Sequence, residues 1–598
     1  MPVPSHPLSL AQRSLWHLER LGPGGPVHTL AWRIPLRGKL DERALRESFA
    51  VAVARHEPLR TRFAEGDSGP VAVVAGEDAV ELPLVVDDLR PLPAAKRTAE
   101  KARRCAADIT AGFALDHAPL ARARLLHLGD DRHELLIVVH HIVFDGVSLD
   151  VLLDELGRAY SARVRGEDPR LEVLDARYAD AVAAERELLT GPGRATLAAF
   201  WRERLSAVPP VVLPPPDRDP ASAREPGGER SWANRIFTLP LPGPVVAAVR
   251  EFARRERTTP YAVYLAVLTV LLHRLTGLAD IVVGTPVSAR HRGAFERLVG
   301  YFVNIVVMRT EVGDRSFAQV VRTVRESVFD ALDHQRLPFE AVVDEVRPPR
   351  TSGYGPLFQV LFAMVAPIRT PGDGFANLDI GPVEQVDNGR SPFALTVSVL
   401  DRAQDGADLE LSYAVSLYDD TTAERMASQF VELLSAALST PDTAAGELAA
   451  TLPAPAPLAT PDLPAAPVIP AAPDGGAAVI RAVQAVWTAH LHTEVTDPDA
   501  DFLALGGHSL AAARIAVDLR ELFGLANDAG ITEFTLFRAP TPRLLAAQLT
   551  AALGGWTAAA EEAEFVLGLL GMTDEQAEKQ LTGLAPESRH EDDGGATR

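Results

Sequence analysis

Cysteine is almost absent. The 598-residue chain has one, Cys105. A single thiol forms neither an internal disulfide nor a cysteine metal cage. Cys105 falls in a charged stretch of helical character with no nucleophile pattern around it, so a structural role is expected. A run of about 18 apolar residues is also missing, so no transmembrane helix is expected. Met1 to Leu10 shows no basic segment followed by an apolar one, and no signal peptide is visible. The expected compartment is the cytoplasm. Positive charge is in short supply. Lys and Arg number 59 against 80 Asp and Glu, a net charge of -21. Binding a phosphate backbone needs a clustered positive surface, so a nucleic-acid role is disfavoured. The acidity is spread along the chain and reads as solubility.

Hydrophobic residues make up 47% and charged residues 23%, which are globular values. The length exceeds what one hydrophobic core supports, so several domains are expected. The clearest boundary is TLPAPAPLATPDLPAAPVIPAAPDGG, from Thr451 to Gly476. It is rich in Pro and Ala, lacks an amphipathic period and reads as a semi-rigid spacer. The expected division is a large body over 1–450, a linker over 451–475, a small domain over 476–555 and a tail over 556–598. A weaker break, Val212 to Arg230, reads as a surface loop within the large body.

The large body mixes strands and helices. His133 to Val139 is a short apolar run with β-branched residues, which predicts a buried strand. After the loop HHIVFDG, Leu149, Leu152, Leu153, Leu156 and Tyr160 fall at helical spacing, with Ser148 as the expected N-cap. Further strands are expected at Ile281 to Val283, Val303 to Met308 and Phe358 to Met364. Beyond Gly476 only helical stripes occur: Ile480 to Leu491, Leu510 to Phe523 and Leu544 to Leu549. A small helical bundle follows.

Two constellations carry chemistry. The first is His140-His141-Ile142-Val143-Phe144-Asp145-Gly146. Adjacent strand side chains alternate, so one histidine can face a cavity while the other packs inward. A histidine near its ordinary pKa can accept a proton at neutral pH. A nearby aspartate can orient the loop through an ion pair, and Gly146 is expected to permit a sharp turn. Two structural histidines fit the local sequence equally well. The second constellation is DFLALGGHSL, Asp501 to Leu510. Two glycines permit a tight turn, and Ser509 then stands where a helix begins, a position that favours a phosphate on its hydroxyl. An ordinary Ser N-cap is the plain alternative.

HHxxxDG is the signature of nonribosomal peptide synthetase condensation domains, and other segments resemble that family's motifs in order. These are LSLAQRSLWHL from Leu8, RHEPLRTRF from Arg55, Tyr178-Ala179-Asp180, VGYFVNIVVMR from Val299, HQRLPFE from His334, and Arg350 to Gln359 ending in PLFQ. The resemblance spans about residues 7 to 450. It implies an α/β fold of two chloramphenicol acetyltransferase-like lobes in a V, about 1–175 and 176–450, with the motif loop at the floor of a tunnel. It implies that His141 is the active-site histidine, that His140 and Gly146 shape the loop, and that Asp145 is structural and pairs with an arginine. Arg290 is the candidate partner, and Arg62 is expected to form a structural ion pair of its own. Val147 stands where relatives usually carry Trp, and SPFAL at Ser391 to Leu395 replaces a KFDL-like segment, so the subtype is open. Val139 occupies the place of a third histidine found in some relatives with added chemistry, which favours simple condensation. The order of domains disfavours epimerisation, and the intact HHxxxDG disfavours cyclisation.

GGHSL resembles the attachment motif of peptidyl carrier domains, which are small four-helix bundles. The resemblance implies that Ser509 carries 4′-phosphopantetheine, installed by a separate phosphopantetheinyl transferase. It implies a donor thioester on an upstream carrier and an acceptor on Ser509, with His141 either removing a proton or positioning the acceptor. There is no room for an adenylation domain between the two domains, so a stand-alone adenylation enzyme is expected to charge the carrier in trans. No metal site is implied. A hydroxyl acceptor giving an ester, an inactive recruiting scaffold and transfer from free coenzyme A remain alternatives.

In the tail, Phe565, Val566, Leu567, Leu569 and Leu570 form an apolar cluster, while Gly568 and Gly571 weaken a continuous helix. Thr573 and Gln576 suggest a capping box that opens a second helix. The polar end reads as disordered. A docking segment for a downstream synthetase is one reading, and a frayed terminus the other.

Overall fold

The computed structural model describes residues 5–21, 25–66, 69–209, 211–218, 232–348, 355–368, 374–402, 406–453, 476–491, 493–502, 505, 509–525, 531, 535–536 and 539–570. Contacts divide the chain into two units, Met1–Pro461 and Asp462–Arg598.

The first unit opens with β1 (Ser5–Pro7), α1 (Leu10–Leu21), β2 (Thr29–Gly38), α2 (Glu42–Arg55), β3 (Thr61–Gly66), β4 (Gly69–Val74), β5 (Leu84–Asp88), α3 (Ala94–Thr110), β6 (Ala121–His127), β7 (Arg132–His140) and α4 (Gly146–Val164). Strand β7 lies between β2 and β6 in the first large sheet. Its side chains alternate between two cores. Leu135, Ile137 and Val139 join one with Leu149, Leu152 and Leu156 of α4. Leu136 and Val138 join the other with Cys105 and Ile109 of α3. Both faces being covered, the run is apolar without a period of two, the pattern that predicts a buried strand. Cys105 is buried, and burial raises its thiol pKa, which leaves it unreactive.

The chain continues through α5 (Tyr178–Thr190), α6 (Gly193–Arg204), β8 (Asn234–Leu241), α7 (Gly243–Arg255), α8 (Pro260–Thr276), β9 (Asp280–Ser288), β10 (Val303–Glu311), α9 (Phe317–Asp333), α10 (Phe339–Val346), β11 (Val360–Val365), β12 (Leu378–Ile380), β13 (Glu384–Gln385), β14 (Leu395–Asp401), β15 (Ala407–Ala414), α11 (Asp420–Ser439) and α12 (Ala445–Ala450). The second large sheet has the order β10-β9-β11-β14-β15-β8. Helix α8 packs over it and is apolar nearly all round, as a helix enclosed in a core must be. The lobes do not part cleanly at residue 175. Strands β12 and β13 cross back and pair antiparallel with β2, Ile380 against Leu36 and Gln385 against Trp32.

Two local expectations change. Helix α4 is capped by Asp145, whose carboxylate accepts the Ser148 N–H at 2.8 Å, so Ser148 sits inside the first turn. Phe358 lies before β11, which starts at Val360. The body ends beyond 450, since Leu452 is still packed in its core. Residues 454–475 and 219–231, which hold most of the expected linker and surface loop, lie outside the described residues.

The second unit contains α13 (Gly476–Leu491), α14 (Ser509–Leu522), α15 (Pro542–Ala552) and α16 (Trp556–Leu570). Its core joins Val483, Val486 and Trp487 to Ile515, Leu519, Leu545 and Leu549. The expected tail boundary at 556 is wrong. Helix α16 packs on α13, with Ala559, Ala563 and Val566 fully buried at helical spacing. Gly568 does not stop it: tertiary packing offsets an intrinsic cost of about 1 kcal/mol. The expected second helix at Thr573 lies outside the described residues.

Candidate functional site

The loop after β7 forms a one-turn 3-10 helix, His141–Val143, followed by Phe144, Asp145 and α4. His140, the last residue of β7, is 1% exposed, whereas His141 is half-buried. His141 Nδ1 is 2.6 Å from the Phe144 carbonyl oxygen. A carbonyl only accepts, so Nδ1 carries the proton and Nε2 is left as the free base. Burial holds its pKa well below the usual imidazole range, against the opposing effect of the Phe144 carbonyl and Asp145. The Tyr301 ring meets the imidazole edge-on, with centroids 4.8 Å apart.

Asp145 anchors the loop from below. Its oxygens accept from Arg290 Nη1 at 2.7 Å and Nη2 at 3.0 Å, from Ser148 N–H at 2.8 Å and from Phe302 N–H at 3.0 Å. The two side chains are 3% and 4% exposed. Arg290 also donates to Ser148 Oγ at 3.0 Å and the Leu298 carbonyl at 3.1 Å, and stacks on Phe302 at 4.2 Å. A buried bidentate pair with these added hydrogen bonds offsets its own desolvation.

Gly146 does not serve the turn. Its φ lies outside the left-handed region, and a Cβ built there meets nothing within 4 Å. The glycine keeps open space beside the histidine loop. Gly300 is constrained differently: a Cβ there would stand 2.4 Å from the Tyr178 ring.

His140 belongs to a second buried cluster. His28 Nδ1 and His140 Nε2 approach Glu19 Oε1 at 2.7 and 3.3 Å. Burial alone would raise the Glu19 pKa, but hydrogen bonds from His140 and His28 bring it down to about 2. Three such groups have the composition of a metal site. The tautomer argues otherwise. His140 Nδ1 accepts the Ile142 N–H at 3.1 Å, so in the neutral ring Nε2 must keep its proton. That proton faces Glu19 and leaves no lone pair for a metal. The cluster is a polar brace: Glu19, hydrogen-bonded to His28, lies 3.3 Å from His140 Nε2, and His140 Nδ1 holds the Ile142 amide in the 3-10 turn that carries His141. Gln12 of α1 adds a bond from Nε2 to the Ile142 carbonyl at 2.9 Å.

The Arg62 ion pair is a correction. Arg62 points outward on β3 between the buried Thr61 and Phe63, and it has no ion pair among the described residues. Strand alternation dictates this. The paired groups of that segment are Arg55 and His56, at 2.8 and 2.7 Å from Glu155 of α4.

The sequence singles out the segment from Val299 but gives its residues no roles. Ser148 Oγ accepts the Gly300 N–H at 3.0 Å, Phe302 N–H binds Asp145, and Tyr301 touches His141. Glu19 and His28 had no signal at all, because nothing in the sequence shows that α1 and the start of β2 meet the end of β7.

Ser509 begins α14. Its side chain and residues 506–508 lie outside the described residues. A helix N-terminus suits a phosphodiester, through free N–H groups and the dipole. No described helix is long and apolar enough to cross a membrane.

The condensation domain family matches residues 5–455, and the phosphopantetheine attachment site family matches 481–549. The chain belongs to the condensation-domain family of nonribosomal peptide synthetases and carries a phosphopantetheine-bearing carrier domain behind it. A linear gramicidin synthase chain of Brevibacillus parabrevis is 36% identical over 436 residues, 73% of this chain and 8% of that protein. Phosphinothricin tripeptide synthetase PhsB of Streptomyces viridochromogenes is 38% identical over 442 residues, 73% of this chain and 36% of that protein. The chain thus spans a minor part of these relatives. Among solved structures, SgcC5 protein from Streptomyces globisporus matches with a TM-score of 0.63 and 25% identity, covering 73% of this chain and 100% of that one.

The brace makes a prediction. Glu19→Gln, which keeps the shape but removes the charge, is expected to lower turnover about 10- to 100-fold through misplacement of His141. KM should stay within about twofold, since substrate contacts are untouched. Unchanged turnover in a steady-state assay would show that the cluster only supports the fold.

Proposed function

We propose that the chain forms an amide bond between a donor acyl or peptidyl thioester on an upstream carrier and an aminoacyl group tethered at Ser509. The observation that carries this reading is the His141 tautomer, fixed by the Phe144 carbonyl, which leaves Nε2 as the free base. When attached at Ser509, the phosphopantetheine arm supplies a mobile thiol that holds an acyl group as a thioester. The chain's own residues do the rest. His141 Nε2 accepts a hydrogen bond from the neutral acceptor amine and aims the amine lone pair at the donor carbonyl; the C–N bond forms, the donor C–S bond breaks, and the proton the amine loses goes to the departing donor thiolate. An imidazole of depressed pKa is a poor base toward an ammonium of pKa about 8, so positioning suits it better than deprotonation. The first-turn amides of Gly146 and Val147 are the donors assigned to the developing oxyanion. Tethering makes both reactants local, and orientation supplies much of the acceleration.

Charging in trans is part of the proposal. Residues 456–480 are all that separates the two family matches, too little for an adenylation domain. A stand-alone adenylation enzyme would load the arm, after a phosphopantetheinyl transferase installs it.

The test compares amine and hydroxyl acceptors of equal shape. Product is expected with the amine, and His141→Ala should lose about 10²- to 10⁴-fold in rate at unchanged thermal stability. The acid limb of the pH profile should move with the pKa of the acceptor amine. A limb that stays fixed at the depressed His141 pKa of about 4 as the acceptor amine is varied would assign His141 as the base instead. Full activity of His141→Ala would remove His141 from the chemistry, no product from the wild type with either acceptor would leave a recruiting scaffold as the better reading, and ester formation in preference to amide would replace the acceptor class.

A further inference from the structure

A cavity of about 290 Å³ lies one side chain away from His141. Tyr301 forms part of its wall, and the same ring meets the imidazole at 4.8 Å. Tyr178 forms another part and donates from its hydroxyl to the Tyr301 carbonyl at 2.8 Å, so that wall is fixed. The volume exists because Ala181 and Ala184 of α5, with Ala11 and Ala289 opposite, present methyl groups where larger side chains would fill it. It opens to solvent on one side, the concave form usual for small-molecule sites.

The interior is apolar along Val182, Leu188 and Phe295, with Glu185 as its carboxyl. Glu185 Oε1 accepts the Leu10 N–H at 2.7 Å, which fixes the carboxyl relative to α1. The other oxygen has no partner among the described residues. Burial pushes this carboxyl up to about 7, against the Leu10 N–H, with Glu340 raising it further and Arg13 lowering it. Glu340 is a second half-buried carboxyl of raised pKa. His291, Arg292 and Arg336 also line the cavity, but they are exposed to solvent, which screens them. A half-buried carboxyl with a spare acceptor gains most from a guest that brings an N–H donor.

We infer that this cavity is a specificity pocket for a substrate side chain with an apolar body and an amine-bearing end, anchored by Glu185. This rests on the amide-forming reading and names the substrate class of the same site. The guest side chain belongs to either the acceptor or the donor, and both present the same chemistry to Glu185.

The experiment uses the full chain in two arms. In the first, a promiscuous transferase loads Ser509 from lysyl-, norleucyl- or glycyl-coenzyme A, and a fixed short acyl thioester serves as donor. In the second, glycyl is fixed on Ser509 and the donors are N-acetyl-lysyl, N-acetyl-norleucyl or N-acetyl-glycyl thioesters. Lysyl and norleucyl differ only at the side-chain end. One arm is expected to favour lysyl over norleucyl by about tenfold or more in kcat/KM. Glu185→Gln, which can still accept the Leu10 N–H, should bring that ratio below about threefold. Ala184→Trp, which fills the cavity, should lower lysyl relative to glycyl by about tenfold in the same arm. Ratios near one in both arms, with amide formed, overturn the pocket and leave the amide-forming reading standing. Loss of all amide in every pairing of the wild type overturns that reading, and the pocket with it.

Discussion

Asp145→Ala is expected to destabilise the first unit by about 3–5 kcal/mol, because it strands Arg290 as an uncompensated buried charge. The aspartate accepts from the guanidinium twice, from the first turn of α4 and from the backbone of Phe302, so one truncation breaks the loop, a helix cap and a lobe-to-lobe contact together. Activity should fall with stability, since His141 lies four residues upstream in the same loop. Thermal unfolding measures the effect. The double variant Asp145→Ala with Arg290→Leu should recover part of the loss, because removing both charges ends the desolvation problem. Equal midpoints for wild type and Asp145→Ala would remove the structural role from this residue.

Ser509→Ala should abolish attachment of the arm outright and, with it, every extension of an acyl chain on this protein. The fold should tolerate the change: Ser509 is the first residue of α14, and losing a hydroxyl at a helix start costs about 0.5–2 kcal/mol at most. Intact mass after incubation with a transferase and coenzyme A reads the result. An arm still added to Ser509→Ala would place the attachment elsewhere.

The motif loop was legible because its residues are contiguous. HHxxxDG stands as one string, β7 and α4 flank it with clear apolar patterns, and Arg290 sits in a segment that invites pairing. Contacts between distant segments were not legible. Tyr301 reaches His141 from just before β10, 160 residues away in the chain, and Glu19 reaches His140 from α1. Arg62 failed for a local reason: a strand turns alternate residues outward, and the charged member of Thr61-Arg62-Phe63 took the solvent side. Ser148 looked like a cap because serine favours that position, but the aspartate three residues earlier had the carboxylate in place. The end of the carrier was misjudged because glycine propensity was weighed without the groove on α13 that Ala559, Ala563 and Val566 fill.

The return of β12 and β13 to β2 has a consequence for biosynthesis. On the ribosome, β7 is complete at residue 140, yet the outer edge of β2 gains its partners only when residues 378–385 have been made. At cellular elongation rates that interval is on the order of 10 to 50 s. For that time the nascent sheet has a free edge, the state most open to pairing with another chain. The sequence of β2 suits the wait. Pro35 interrupts the donor pattern of the strand, and Arg33 and Arg37 place charge along it. Replacing this proline and these arginines with β-branched apolar residues would remove the exposed Arg33–Glu384 ion pair of the finished sheet, and would leave the nascent chain without its protection against aggregation during synthesis.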